Sequence, residues 1–384
     1  MEKFTRISVL DQPLFRVFSN LPDPRVKGRC LYPLFNIIFI ALCALIAGAD
    51  GWKAIERFAK SRKYWFSQFI DLENGIPSHF TFARVISRIH PQAIEKCVRW
   101  FMSEMIPLKL WSIINVDGKA ARGSGHVNGD KKNMHLVNTY LPEQKITLGS
   151  IRVPEKSNEI KGIYILLKEL NITGAIITID AMGTQKGIAS LIRQKQAHYV
   201  LALKKNHKRF YRKVENIFLK ADQLNYQSMV VQDKKTDDYG HHRIEEREYT
   251  ILPMMYFSQY KKDWKDLTAI IQVKTKTQFL QKGKNDEKST RYYLTSIPFK
   301  MYEKMTEAIR THWSIENKLH YKLDVGLHED QCQIFRGMAD QNLAVMRKIV
   351  LALLEKEKSF QGGIALKRYQ AALNTRFLRK VLNL

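Results

Sequence analysis

Cysteine is scarce: the 384 residues hold four, Cys30, Cys43, Cys97 and Cys332, far apart and with no pair at zinc-like spacing. A disulfide framework and a zinc finger are thereby excluded as organising elements. The first eleven residues mix charge with apolar side chains and lack the continuous apolar stretch of a secretory signal, so the expected location is the cytoplasm, associated with the nucleoid. One apolar run, residues 31–49 (LYPLFNIIFIALCALIAGA), approaches the length of a membrane span. Pro33 and Asn36 near its start, the small residues toward its end and the lack of a second such run argue for a buried core helix and no membrane. Acidic residues are the other shortage, 37 Asp and Glu against 63 Lys and Arg, a formal charge of +26 spread from Arg25 to Lys380. A polyanionic partner follows. Ribosomal, membrane-surface and heparin-binding proteins share such an excess, so charge names a partner class and not a reaction.

What is present is enough apolar material, 45% of residues, to bury a substantial core in two or three domains. Residues 1–105 read as a helical domain suited to DNA binding. Trp52, Ile55, Phe58 and Ala59 share a helix face, and Ser78 is placed to cap a helix that turns Phe82, Val85, Ile86 and Ile89 inward and Arg84 and Arg88 outward, with Pro91 opening the next. That pair is either a helix-turn-helix or an ordinary helical pair with a basic solvated face.

From Trp111 the pattern changes to β-rich runs at 113–116, 136–141 and 146–153. A helix over 159–170, capped by Ser157 or Asn158, a strand at 175–179, a helix over 185–196 and a strand at 199–203 follow. The order β-β-β-α-β-α-β is that of an α/β, RNase H-like domain, here 106–205. Residues 206–299 break the alternation and suggest a β-rich inserted subdomain. Periodic helices return the chain to the core over 300–356, with Met301, Met305, Ala308, Ile315, Leu319 and Leu323 on one face. Residues 357–384 read as one amphipathic helix whose basic face, Lys367, Arg368, Arg376, Arg379 and Lys380, is either solvated or set against DNA.

Asp117 and Asp180 each directly follow a buried apolar strand. A carboxylate there is costly unless paired or bound to metal, and in this strand order the first and fourth strands are neighbours. Two like charges so placed call for a cation, and hard oxygen donors without clustered thiols favour Mg²⁺ or Mn²⁺. The string HWSIENKLHYKLD sets His312, Glu316, His320 and Asp324 four apart on one helical stripe. Glu316 is the choice for a third ligand, against readings in which it and Asp324 only partner the histidines, Lys318 and Lys322, or in which the histidines hold zinc. Three carboxylates and two metal ions suit phosphoryl transfer. Lys119, Arg122, Lys318, Lys322, Arg84 and Arg88 are the candidate DNA contacts.

The strings DPRVKGRCLYPL, AGADGW, GIPSHFTFARV, VDGKAARGS, EKSNEI, TIDAMGTQKGIA, YVLALKKNH and HWSIENKLHYKLDV, followed by Glu329-Asp330, run nearly end to end. Together they resemble the DDE transposases of bacterial insertion sequences, of the H-repeat-associated, Rhs-linked type. The resemblance implies a catalytic triad of Asp117, Asp180 and Glu316, cleavage at the element ends in double-stranded DNA, attack of the freed 3′-hydroxyl on target DNA, and a homodimer pairing two ends. A nuclease that never joins, or an inactive DNA-binding derivative, would carry the same strings. Where related transposases often have a tyrosine and an arginine before the glutamate and a lysine after it, this chain has Ile309, His312 and Leu323, and Phe80 stands where an acidic residue is expected.

Overall fold

A computed structural model of the chain describes residues 9–105, 108–121, 134–153, 159–240, 242–280 and 285–384. Its strands are β1 (Ile113–Ala121), β2 (Met134–Leu141), β3 (Ile146–Val153), β4 (Ile176–Ile179), β5 (His198–Leu203), β6 (Gln232–Gly240), β7 (Arg243–Pro253), β8 (Ala269–Phe279) and β9 (Glu287–Thr295). Helices Glu159–Glu169 and Lys186–Gln194 separate β3 from β4 and β4 from β5. The element order is the one expected of an RNase H-like domain; the proposed cap at Ser157 or Asn158 lies outside the described residues.

The chain divides into two compact units, the first of Met1–Pro107, Gly118–Lys156 and Ile315–Leu384, the second of Leu108–Asp117 and Ser157–Ser314. In the second the strand order is β1-β4-β5-β9-β8-β7-β6. β4 pairs in parallel with β1 on one side and β5 on the other. All four residues of β4 are buried, as a strand covered on both faces requires. On one face Ile113, Ile176 and Val200 pack with Met305, Ala308 and Ile309 of helix Tyr302–His312. Each fully buried aliphatic side chain there contributes about 2 kcal/mol.

Segment 206–299, expected as an insertion, is continuous with this sheet because β9 pairs directly with β5 and β8, β7 and β6 follow. Tyr249, Ile251, Ile271 and Tyr293, in the strand halves nearest the core, are buried. The distal halves are charged and largely exposed. Helix Lys208–Gln223 also belongs to this segment, held inward by Phe210, Val214, Phe218 and Ala221.

In the first unit the apolar run forms helix Leu34–Ile46, with Ile37 to Ile46 each at most 2% exposed. It is a core helix, and no helix among the described residues is long and apolar enough to cross a membrane. Ser78 Oγ accepts from the Thr81 amide and starts helix His79–Ile86; Pro91–Met105 is the next. The tail differs from the single amphipathic helix expected. Asn374 interrupts it, ending helix Ile364–Leu373 and capping Thr375–Leu382 with its side chain. Lys367 and Arg368 are buried. Arg368 donates to Leu45 and Gly326 carbonyls and pairs with Asp50, while Lys367 donates to the carbonyls of Leu354 and Glu357. Two charges assigned to a solvated or DNA-facing surface thus tie the first unit together.

Candidate active site

The register of β1 on β4 fixes the relation of the two aspartates. Asn115 faces Thr178 and Val116 faces Ile179, so Asp117 and Asp180 are the next positions, one step beyond; Asp180 directly follows its strand as expected, but Asp117 lies inside β1, which runs on to Ala121. Alternation puts Ile113, Asn115 and Asp117 on one face of β1, and Ile176, Thr178 and Asp180 on the same face of β4. That is the face covered by helix Tyr302–His312. Both aspartates are half-buried. Asp180 Oδ1 accepts the Gly183 amide at 3.2 Å. Gly183 has no room for a side chain, since a Cβ would stand 2.3 Å from Ile179 and 2.7 Å from Ile163.

Beneath the aspartates lies a neutral ladder. Thr178 Oγ1 donates to Asn115 Oδ1 at 2.8 Å, and Asn115 Nδ2 donates to the Thr311 carbonyl at 2.8 Å and Ser314 Oγ at 3.0 Å. The single hydroxyl proton of Thr178 is thereby used, so its 2.8 Å contact with His312 Nδ1 is a bond donated by the ring. His312 therefore carries its proton on Nδ1 and a lone pair on Nε2. Burial pushes its pKa down to about 4, Asp180 acting upward and Lys204 downward.

Residues 111–353 match the family model described as "Transposase DDE domain", and residues 15–102 match its associated domain, "DDE_Tnp_1-associated". The chain belongs to the DDE transposase family. Its relatives include "Putative transposase YncI" of Escherichia coli O157:H7, 36% identical over 97% of this chain and 94% of that protein. Another is "H repeat-associated putative transposase YhhI" of Escherichia coli K12, 33% identical over 96% and 97%, and the H-repeat type is therefore its branch of the family. Among solved structures, the synaptic complex of piggyBac transposase with hairpin DNA is similar at a TM-score of 0.43 and 11% identity, covering 100% of this chain and 84% of that one.

The other candidate residues of the transposase fall in different settings. Glu316 is exposed, on a π-helical segment, Ile315–His320, of the first unit. A second π-helical segment, Lys322–Gly326, follows. Their wider turns undo the even stripe expected from an α-helix: Glu316 is exposed while His312, His320 and Asp324 are half-buried. Among the described residues no three His, Cys, Asp or Glu side chains form a group able to hold a metal ion.

Lys119, expected at DNA phosphates, is 7% exposed and lies in the first unit within reach of three carboxylates. Its Nζ is 2.7 Å from Asp324, 3.0 Å from Glu329 and 3.2 Å from Asp330. Burial acts to lower its pKa, but the charges of Glu329 and Asp324 outweigh it and raise the value. Lys322 pairs with Glu355. Lys318, Arg84 and Arg88 are exposed, and Arg122 lies outside the described residues. The sequence reading passed over Asn115, Thr178 and the basic run at 204–213. The first two carried a signal, each standing two residues before a candidate aspartate on its strand.

Proposed function

We propose that this transposase cleaves double-stranded DNA at the terminal inverted repeats of its element and joins the freed 3′-hydroxyls to target DNA. Asp117, Asp180 and Glu316 are the carboxylates that would hold two divalent ions, Mg²⁺ or Mn²⁺. The observation that supports this reading is the β1–β4 register, in which the two acids are the next positions after the last parallel pair, Val116 and Ile179, in a chain of the DDE family. Their oxygens are hard donors and the groups beneath them are neutral, a fit to a hard cation. Such ions, when bound, activate the attacking oxygen and neutralise the departing one.

The protein's own part is positioning. The Asn115–Thr178–His312 ladder holds the two neighbouring strands in step, and the Gly183 amide orients Asp180. Water attacks the phosphorus at the element end and the 3′-oxygen departs as a hydroxyl. That hydroxyl then attacks a target phosphodiester, whose own 3′-oxygen departs. Two copies, as a homodimer, pair the two ends.

The test uses the purified chain and duplexes carrying the sequences that flank its gene. Mg²⁺-dependent nicks and joined products are expected, with a loss on the order of a thousandfold in Asp180→Asn or Glu316→Gln. Nicks without joined products would make it a nuclease. No metal-dependent nicking at all would leave a DNA-binding derivative.

A further inference from the structure

We propose that Lys204, Lys205, Lys208, Arg209, Arg212 and Lys213 form the surface on which the second unit takes the sugar-phosphate backbone of duplex DNA beside the scissile phosphate. The location of that phosphate rests on the function proposed above; the binding surface itself does not.

The run starts where β5 ends. Leu201 of β5 pairs with Ile179 of β4, so the chain leaving Leu203 departs from the same sheet edge as Asp180. Two side chains then tie it to the loop after Asp180. Asn206 Nδ2 donates to the Ala181 carbonyl and His207 Nε2 to the Thr184 carbonyl, each at 2.7 Å. Thr184 Oγ1 is within 3.0 Å of the Asp180 carbonyl and 2.7 Å of the Ala202 carbonyl. The basic segment and the catalytic loop are one hydrogen-bonded piece.

Its six cations are all exposed. Phe210, Val214 and Phe218 turn the other side of helix Lys208–Gln223 into the core, which leaves Arg209, Arg212 and Lys213, at i, i+3 and i+4, on one outward face. Some cations elsewhere in this unit are matched, Lys186 with Asp263, Arg193 with Asp266, Lys235 with Glu248 and Lys274 with Asp222, and others, such as Lys161 and Lys168, stand alone among the described residues and spread apart; what marks the six is that they are gathered in one run beside Asp180. None of the six forms an ion pair among the described residues. Lys208 and Arg209 also occupy the first turn, where no acidic residue is present and where a positive charge opposes the helix dipole. An arrangement unfavourable to the free chain becomes favourable once phosphates lie along it.

The test is the salt dependence of binding to a labelled duplex of arbitrary sequence, in Mg²⁺-free buffer. Replacing Arg209, Arg212 and Lys213 together by alanine should weaken binding roughly tenfold or more and make log K against log salt shallower by about 2 to 3. Replacing both arginines by lysine, Arg209→Lys with Arg212→Lys, should keep the slope. Lys161→Ala with Lys168→Ala, exposed on helix Glu159–Glu169, should leave it unchanged. Circular dichroism establishes that each variant is folded. An unchanged slope in the triple variant, or an equal loss in the Lys161/Lys168 pair, overturns the proposal. The duplex carries no element end and the buffer no metal, so the slope reads the binding surface alone, whether or not the catalytic reading holds.

Discussion

Asp117 and Lys119 stand two residues apart on β1, in different units and in different settings. Asp117 and Asp180 stand one step beyond a ladder of neutral hydrogen bonds that joins Asn115, Thr178 and His312 to one another, and the ladder supplies no ammonium. Two residues further along β1, Lys119 sits inside Asp324, Glu329 and Asp330, a set of carboxylates that has taken its cation from the chain itself. Acids clustered around a resident ammonium are committed to structure. The ladder next to Asp117 and Asp180 contributes no charge of its own to that pair.

The largest expected effect tests that division. Lys119→Met removes the cation that contacts all three carboxylates, leaving only the neighbouring Lys348 to act on Glu329, and should cost about 3 to 5 kcal/mol, read as a lowered urea midpoint at unchanged slope. Asp180→Asn removes one of two neighbouring like charges and should leave stability unchanged or slightly raised while abolishing cleavage. A Lys119→Met protein that melts with the wild type would place the lysine among the functional groups instead.

A second, smaller effect comes from two histidines. Burial pushes His312 down to about 4 and His320 down to about 3, the latter with Lys119 and Lys348 acting in the same direction and Asp330 against them. Both are neutral in the folded chain, whereas an unfolded histidine gains its proton near 6.5. Between that value and the folded ones the unfolded state binds more protons, so stability falls as pH is lowered through the window and is fully kept above it. From pH 7 to pH 5 the two together should cost about 3 to 4 kcal/mol, as seen by thermal unfolding. In His320→Gln roughly half of that loss should vanish; a variant with the full acid sensitivity would show that His320 is not held neutral.

The parts of this molecule that were legible in the sequence are those with a local signature. β4 reads as four apolar β-branched or threonine residues ending at an aspartate, and helix Leu34–Ile46 as an uninterrupted apolar run. The cluster around Lys119 was not legible, because its carboxylates lie more than two hundred residues further along the chain and no spacing announces them. The same holds for Arg368 and Asp50. Segment 206–299 hid its place in the sheet because its strands are apolar only in the halves nearest β5. The π-helical turns at 315–326 could not be told from α-helix by a four-residue spacing, and that is why the polar stripe looked even. By contrast, the six cations of 204–213 lie in one visible run; what the sequence lacked was the link from that run to Asp180, which Asn206 and His207 supply.

The smallest effect probes how the neutral ladder works. Thr178→Val keeps the shape of the side chain and removes the hydroxyl that connects Asn115 to His312, leaving Asn115 Oδ1 and the ring N–H without this partner at a cost of about 1 to 2 kcal/mol. The ring can recover part of that by moving its proton. In the wild type ¹⁵N chemical shifts should report a proton on Nδ1 of His312 and a lone pair on Nε2; in the valine variant that preference should weaken. Should the wild-type ring carry its proton on Nε2, Thr178 would have to donate to His312 rather than to Asn115. The order of donors along the ladder, from ring to threonine to asparagine, would then be reversed.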